Sequence, residues 1–190
     1  MRIGLLGGSF NPPHEGHLLA ARVALRRLAL DAVWLLVSPG NPLKDKSELA
    51  PLETRIEAVR KLAGDPRLRA SAIEAAVGSA YTFDLLAYLR RRCPGVRFVW
   101  IMGADNLAAF HRWRRWRDIA LMVPIAVVDR PGSTLNMGGT RAAAFLVKWR
   151  IPEAQAARLP FMRPPATVFL HHRRSPQASS ALRAKRPFPF

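Results

Sequence analysis

The chain has 190 residues, 49% of them hydrophobic, with 30 Lys and Arg against 13 Asp and Glu, a net charge of +17 at neutral pH. That apolar share excludes a largely disordered chain, and the length suits one domain, residues 1–190 with a short Pro-rich tail from about 184, needing neither disulfides nor a structural metal to fold. The charge itself points to nucleic acid or an anionic membrane surface, and a protein that handles polyphosphate substrates needs positive potential too.

The first apolar run, Arg2–Leu6, is closed by Gly7 and Gly8 and predicts a buried strand with a tight turn after it. Pro12 and Pro13 precede a helical pattern from about Glu15 to Leu28, and Ala32–Val37 reads as a second buried strand stopped by Ser38-Pro39-Gly40-Asn41-Pro42. Leu52–Leu62 returns to helical spacing through Ile56 and Val59, with Gly64-Asp65-Pro66 as its stop, and Ala72–Val77 fits either kind of element. Thr82 predicts the N-cap of a helix through Leu85, Leu86 and Leu89 that ends near Cys93-Pro94-Gly95. Val96–Met102 is a third strand, Asp118–Met122 a short helix and Pro124–Val128 a fourth strand. Ser133–Gly139 reads as a loop, Thr140–Lys148 as a helix and Thr167–His171 as a last strand. Strands that are unbroken apolar runs alternating with helices predict an α/β fold, an open parallel sheet with helices on both faces. Ligands of such folds bind beyond the carboxyl ends of the strands, where the strand order reverses.

Cys93, the single cysteine, cannot form an internal disulfide and offers no zinc spacing. No apolar run approaches the roughly 20 residues of a membrane span, and the N-terminal apolar stretch is too short for a signal peptide. A cytoplasmic location and no membrane partner are expected. Residues 1–100 carry a net +6 and residues 101–190 a net +11, and 25 of the 30 basic residues are Arg, which a genome-wide compositional bias would also give. The densest clusters, Arg90-Arg91-Arg92, Arg112 to Arg117 with Trp113 and Trp116, and Arg173-Arg174, read as solvated helix faces and loop ends. The alternative is that the interleaved aromatics stack on bases or nucleotides.

The exit of the first strand, Gly7-Gly8-Ser9-Phe10-Asn11-Pro12-Pro13-His14-Glu15-Gly16-His17, matches neither the dinucleotide fingerprint nor the P-loop. It places His14 and His17 three apart at a helix start, on one face, where free N–H groups attract anions. His14-Glu15-Gly16-His17 is one residue short of the H-E-x-x-H zinc motif and no third ligand stands nearby, so no protein-held metal is expected.

This segment resembles the (H/T)-x-G-H signature of the nucleotidylyltransferase superfamily. Ser38-Pro39-Gly40-Asn41-Pro42-Leu43-Lys44 resembles the P-x-N-P-H-K loop of bacterial nicotinate-mononucleotide adenylyltransferases, and Tyr81-Thr82-Phe83-Asp84-Leu85-Leu86 their Y-T-x-D-T-L. Gly103-Ala104-Asp105-Asn106-Leu107 with Phe110-His111-Arg112-Trp113 resembles G-x-D-x-L-x-x-F-x-x-W, and Arg130-Pro131-Gly132 an R-P-G turn. Ala178-Ser179-Ser180-Ala181-Leu182-Arg183 resembles S-S-T-x-I-R, and the matches run in family order over almost the whole chain.

The resemblance implies a Rossmann-like nucleotidylyltransferase fold and the reaction of ATP, carried with Mg²⁺, and nicotinate mononucleotide to deamido-NAD and pyrophosphate. It implies His14 and His17 on the ATP phosphates, with Gly7, Gly8, Ser9 and Phe10 letting the backbone approach the nucleotides and Gly103 and Asp105 on the ATP side, Asp105 at the ribose. Ser179, Ser180 and Arg183 would hold the β- and γ-phosphates, Arg183 with the histidines in the catalytic set. Thr82 and Trp113 would receive the pyridine ring, and Asn41, Lys44 and Arg130 would surround the acceptor's phosphate and ring. The chain departs from the family pattern at Asn11, where many members carry Asp, at Leu43 in place of His, and at Ala178 and Ser180 in place of Ser and Thr. Two alternatives differ in their predictions. Another adenylyltransferase of the superfamily, such as the pantetheine-phosphate enzyme, usually carries Thr where this chain has His14. A nucleic-acid-binding protein would bind with steep salt dependence, but no helix-turn-helix, zinc or RNA-recognition signature is present.

Overall fold

The two longest strands lie side by side in the middle of the sheet. The computed structural model describes residues 1–40, 49–129 and 139–171, and six parallel strands run through them: β1 (Arg2–Gly8), β2 (Ala32–Val37), β3 (Leu68–Ser71), β4 (Arg97–Gly103), β5 (Ile125–Val128) and β6 (Thr167–Leu170). Their order is β3-β2-β1-β4-β5-β6, so the direction of winding reverses between β1 and β4. Parallel pairing obliges each connection to cross over a face of the sheet, and helices fill those crossovers.

Alternation along the strands divides the core in two. Leu6, Val33, Leu35, Val99 and Ile101 face α1 (Glu15–Arg27), α2 (Leu52–Ala63) and a 3-10 helix at Glu153–Phe161, through Leu18, Ala21, Val59 and Leu159. Leu5, Leu36, Phe98, Trp100 and Met102 face the opposite layer: α4 (Thr82–Arg92), α5 (Ala104–Phe110), α6 (Trp116–Met122) and α7 (Arg141–Leu146). A short α3 (Ile73–Val77) follows β3. The open parallel sheet covered on both faces is therefore the observed architecture. Among the described residues, no helix is long and apolar enough to cross a membrane.

Several local expectations are corrected. Gly7 and Gly8 do not turn the chain but continue β1, opposite Leu36 and Val37; the ladder holds them in extended backbone. Thr82 is not the N-cap of α4: Tyr81 has the extended backbone of the cap position, and its side chain makes no capping bond. β3, α5 and the 3-10 helix carry no clear periodic signal in the sequence, and Thr140–Lys148 divides into α7, capped by the Thr140 hydroxyl, and a 3-10 turn at Val147–Trp149. The stop at Gly64 holds: it ends α2 with φ +63°, a left-handed conformation open to glycine without steric cost.

Candidate active site

The exit of β1 and the start of α1 are built around two imidazoles. His14 is the N-cap, with extended backbone, and its Nδ1 accepts the Gly16 N–H at 3.1 Å. His17, one turn on, accepts the His14 N–H at its own Nδ1, 3.3 Å away. The pair thus caps the helix reciprocally, as Ser and Glu do in a capping box. Because both Nδ1 atoms are acceptors, the neutral rings carry their protons on Nε2, which makes each a hydrogen-bond donor there. The rings lie 3.9 Å apart between centroids, and the Phe10 ring is 4.7 Å from that of His17. Phe10 is held at φ 47°, uncommon for a residue with a side chain, and its buried ring packs where a side chain at Gly8 would stand: an added Cβ would come within 3.2 Å of it.

Across the reversal in strand order, β4 ends at Gly103 and α5 begins at once, placing Asp105 in its first turn with the side chain exposed. Trp100, buried in β4, leans on β1 so closely that a Cβ on Gly7 would lie 2.9 Å from its Cη2. A side chain at Gly7 would thus force the Trp100 ring to shift, and one at Gly8 would press on the Phe10 ring, whatever approaches them from solvent. The Trp100 ring meets Trp113 edge to face at 6.1 Å, and Phe110 meets Trp113 at 5.4 Å, leaving the Trp113 indole half-buried. The arginines after Trp113 reach the first turn of α4: Arg114 lies over the Tyr81 ring and 3.6 Å from Asp84, and Arg115 lies 3.7 Å over Phe83. Thr82 and Trp113 are so brought to one neighbourhood, and this part of the Arg/Trp cluster lies over the protein's own rings while its arginine side chains stay exposed to solvent. Asn41, Lys44, Arg130, Ser179, Ser180 and Arg183, and the tail, lie outside the described residues.

Two groups escaped the sequence reading. Arg55 of α2 is 3% exposed. Its Nε donates to the Ala50 carbonyl and one terminal nitrogen donates to the carbonyls of Ser9 and Ser38, each at 2.7 Å. Burial pulls its pKa down, the charge of Glu53 opposes this, and from so high a starting point the guanidinium stays protonated. Asn11, also buried, accepts the Ala50 N–H at its Oδ1, 3.3 Å away. Glu74 of α3 is 6% exposed; burial pushes its carboxyl up to about 7, against the pull of a hydrogen bond with the Ser38 side chain. The legible signal for Arg55 is a charged residue beside Ile56 on the face that α2 buries.

The comparisons with known proteins agree over nearly the whole chain. A model of the cytidylyltransferase-like family matches residues 5–185. A protein of Methylorubrum extorquens described as a probable nicotinate-nucleotide adenylyltransferase is 55% identical over 97% of this chain and 100% of its own length. One of Agrobacterium fabrum, described in the same words, is 55% identical over 96% of this chain and 98% of its own. Among solved structures, the nicotinic acid mononucleotide adenylyltransferase of Plasmodium falciparum complexed with NaAD is similar in fold. Its TM-score is 0.70 at 15% identity, over 96% of this chain and 82% of that one.

Proposed function

The chain belongs to the cytidylyltransferase-like family, and from that membership and the nicotinate-nucleotide adenylyltransferases that match it at 55% identity we propose that it transfers the adenylyl group of ATP to nicotinate mononucleotide. The products are deamido-NAD and pyrophosphate. The observation that carries the reading is the reciprocal histidine cap at the start of α1, beside the reversal in strand order. A phosphate oxygen of the mononucleotide attacks the α-phosphorus of ATP, one P–O bond forms, and the bond to pyrophosphate breaks in line with it. The attacking phosphate is largely dianionic near neutral pH, since its second pKa is about 6, so no strong base is required. Catalysis consists of holding two anions together and balancing the charge that moves to the leaving group. His14 and His17 serve as Nε2 donors to the phosphates, at a helix end that itself favours anions. Asp105 holds the ribose and Trp113 stacks on the pyridine ring beside Thr82; Asn41, Lys44 and Arg130 serve the acceptor, and Ser179, Ser180 and Arg183 the departing phosphates. Mg²⁺ arrives as MgATP, part of the substrate. The partners in this reading are the two nucleotides, met in the cytoplasm, and neither nucleic acid nor a membrane.

The test is release of pyrophosphate from MgATP offered nicotinate mononucleotide, its amide, or phosphopantetheine. Release is expected with the first. No release with any acceptor from folded protein overturns the activity, and preferential use of the amide overturns the acid as substrate. In the same assay His17→Ala is expected to lower kcat by about 10²–10³, the usual cost of one transition-state donor. Its melting temperature should fall only by the few degrees that a lost cap of about 1 kcal/mol implies.

A further inference from the structure

We infer that Arg55 is a positioning residue for adenylyl transfer, a single buried guanidinium that ties the exit of β1 to the exit of β2 and so sets the spacing of the two segments that receive the substrates. The inference rests on the proposed adenylyltransferase reading.

The parallel ladder between β1 and β2 runs as far as Gly8 opposite Val37, with a last bond from the Ser38 N–H to the Gly8 carbonyl at 3.0 Å. One residue further, where the two segments part, the Ser9 and Ser38 carbonyls both accept from one terminal nitrogen of Arg55 at 2.7 Å. The guanidinium therefore continues the cross-strand tie by one step beyond the ladder. Its Nε holds the Ala50 carbonyl while Asn11 holds the Ala50 N–H, so the segment entering α2 is fastened to the same loop from both sides. Ser9 leads directly to Phe10 and the histidine cap; Ser38 lies three residues before Asn41 and six before Lys44.

The shell is made of neutral carbonyls, and this decides what the residue does. Three hydrogen bonds offset the desolvation of the buried cation, and because the guanidinium is a rigid planar fork they also fix the directions from which the three carbonyls approach. A lysine ammonium could replace the charge but not that fixed geometry. In-line transfer between two anions depends on separation, and a displacement of about 1 Å costs on the order of 10²-fold in rate. The effect of losing Arg55 should therefore appear at saturating substrate, not only as weaker binding.

The experiment compares wild type, Arg55→Lys and Arg55→Ala, each with its thermal melt and circular dichroism spectrum and with steady-state pyrophosphate release at saturating MgATP and nicotinate mononucleotide. Arg55→Lys is expected to fold and to lose about 10- to 100-fold in kcat. Millimolar guanidinium chloride, but not the same concentration of potassium chloride, is expected to restore part of the kcat of Arg55→Ala. A folded variant that keeps the wild-type kcat, whatever its KM, overturns the inference. So does failure of both variants to fold, which makes the role one of stability alone, and so does a folded Arg55→Ala that guanidinium leaves unrestored. Wild-type protein without activity would instead overturn the adenylyltransferase reading, so the two failures are distinguishable.

Discussion

Glu74 has a carboxyl group with almost no access to water and a hydrogen bond with the Ser38 side chain. Burial lifts its pKa from 4.5 to about 7, so the folded protein binds this proton more tightly than the unfolded chain. Stability contributed by the protonated form is full at pH below about 4.5 and is lost as pH rises to about 7. Glu74→Gln, neutral at every pH, is expected to match wild type in acid and to exceed its stability by at most about 3 kcal/mol at pH 8, read from urea melts across the range. The same pH slope in both proteins would refute this. The candidate site residues differ in how far the sequence displays them. His14 and His17 are legible because a capping pair is local, three residues apart around a glycine. Arg55 meets Ser9 across 46 residues and Ser38 across 17, so its partners exist only once three elements have met. All that the sequence shows of it is an arginine on the apolar face of α2.

At the level of elements, the exit of β1 is tightly fitted. Gly7→Ala would place a methyl group 2.9 Å from the rigid Trp100 ring, which in turn packs edge to face on Trp113. The expected outcome is a loss of about 1–3 kcal/mol, the usual cost of overpacking, with a rise in KM for the mononucleotide greater than that for ATP. Equal changes for both substrates would break the link from Gly7 through Trp100 to the acceptor ring. β2 was legible to the residue because Ala32–Val37 is buried on both faces and reads as one apolar run. β3 was not: it lies at the edge of the sheet, only four residues long, with Leu68 alone fully buried. The 3-10 helix at Glu153–Phe161 contains Pro160 and buries only Ala156, Leu159 and Pro160 of its nine residues, too short an apolar face to read as a helix. In each case packing, not pattern, selected the structure.

For the molecule as a whole, the charge of +17 acts at a distance. Some arginines are spent on internal contacts, Arg114 with Asp84 and Arg115 over Phe83 among them, but the sum still draws in polyanions. Screening shortens its reach from about 30 Å at 0.01 M salt to about 8 Å at 0.15 M. Over that range KM for both nucleotides is expected to rise several-fold while kcat changes less than about twofold, since the contacts inside the site are hardly screened. Flat KM values across the salt series would show that the field is incidental. The strand order β3-β2-β1-β4-β5-β6 also governs the order of assembly. β1, made before the other five described strands, becomes a central one, and its partner β4 begins only at Arg97. A nascent chain that has reached α4 can pair β1 with β2 and β2 with β3, but the far side of β1 is still a bare, apolar edge. Synthesis past Gly103 closes that edge, and the same event adds the Asp105 turn at the strand end next to that of the histidine cap: an unfinished chain is at once adhesive and without the complete candidate site.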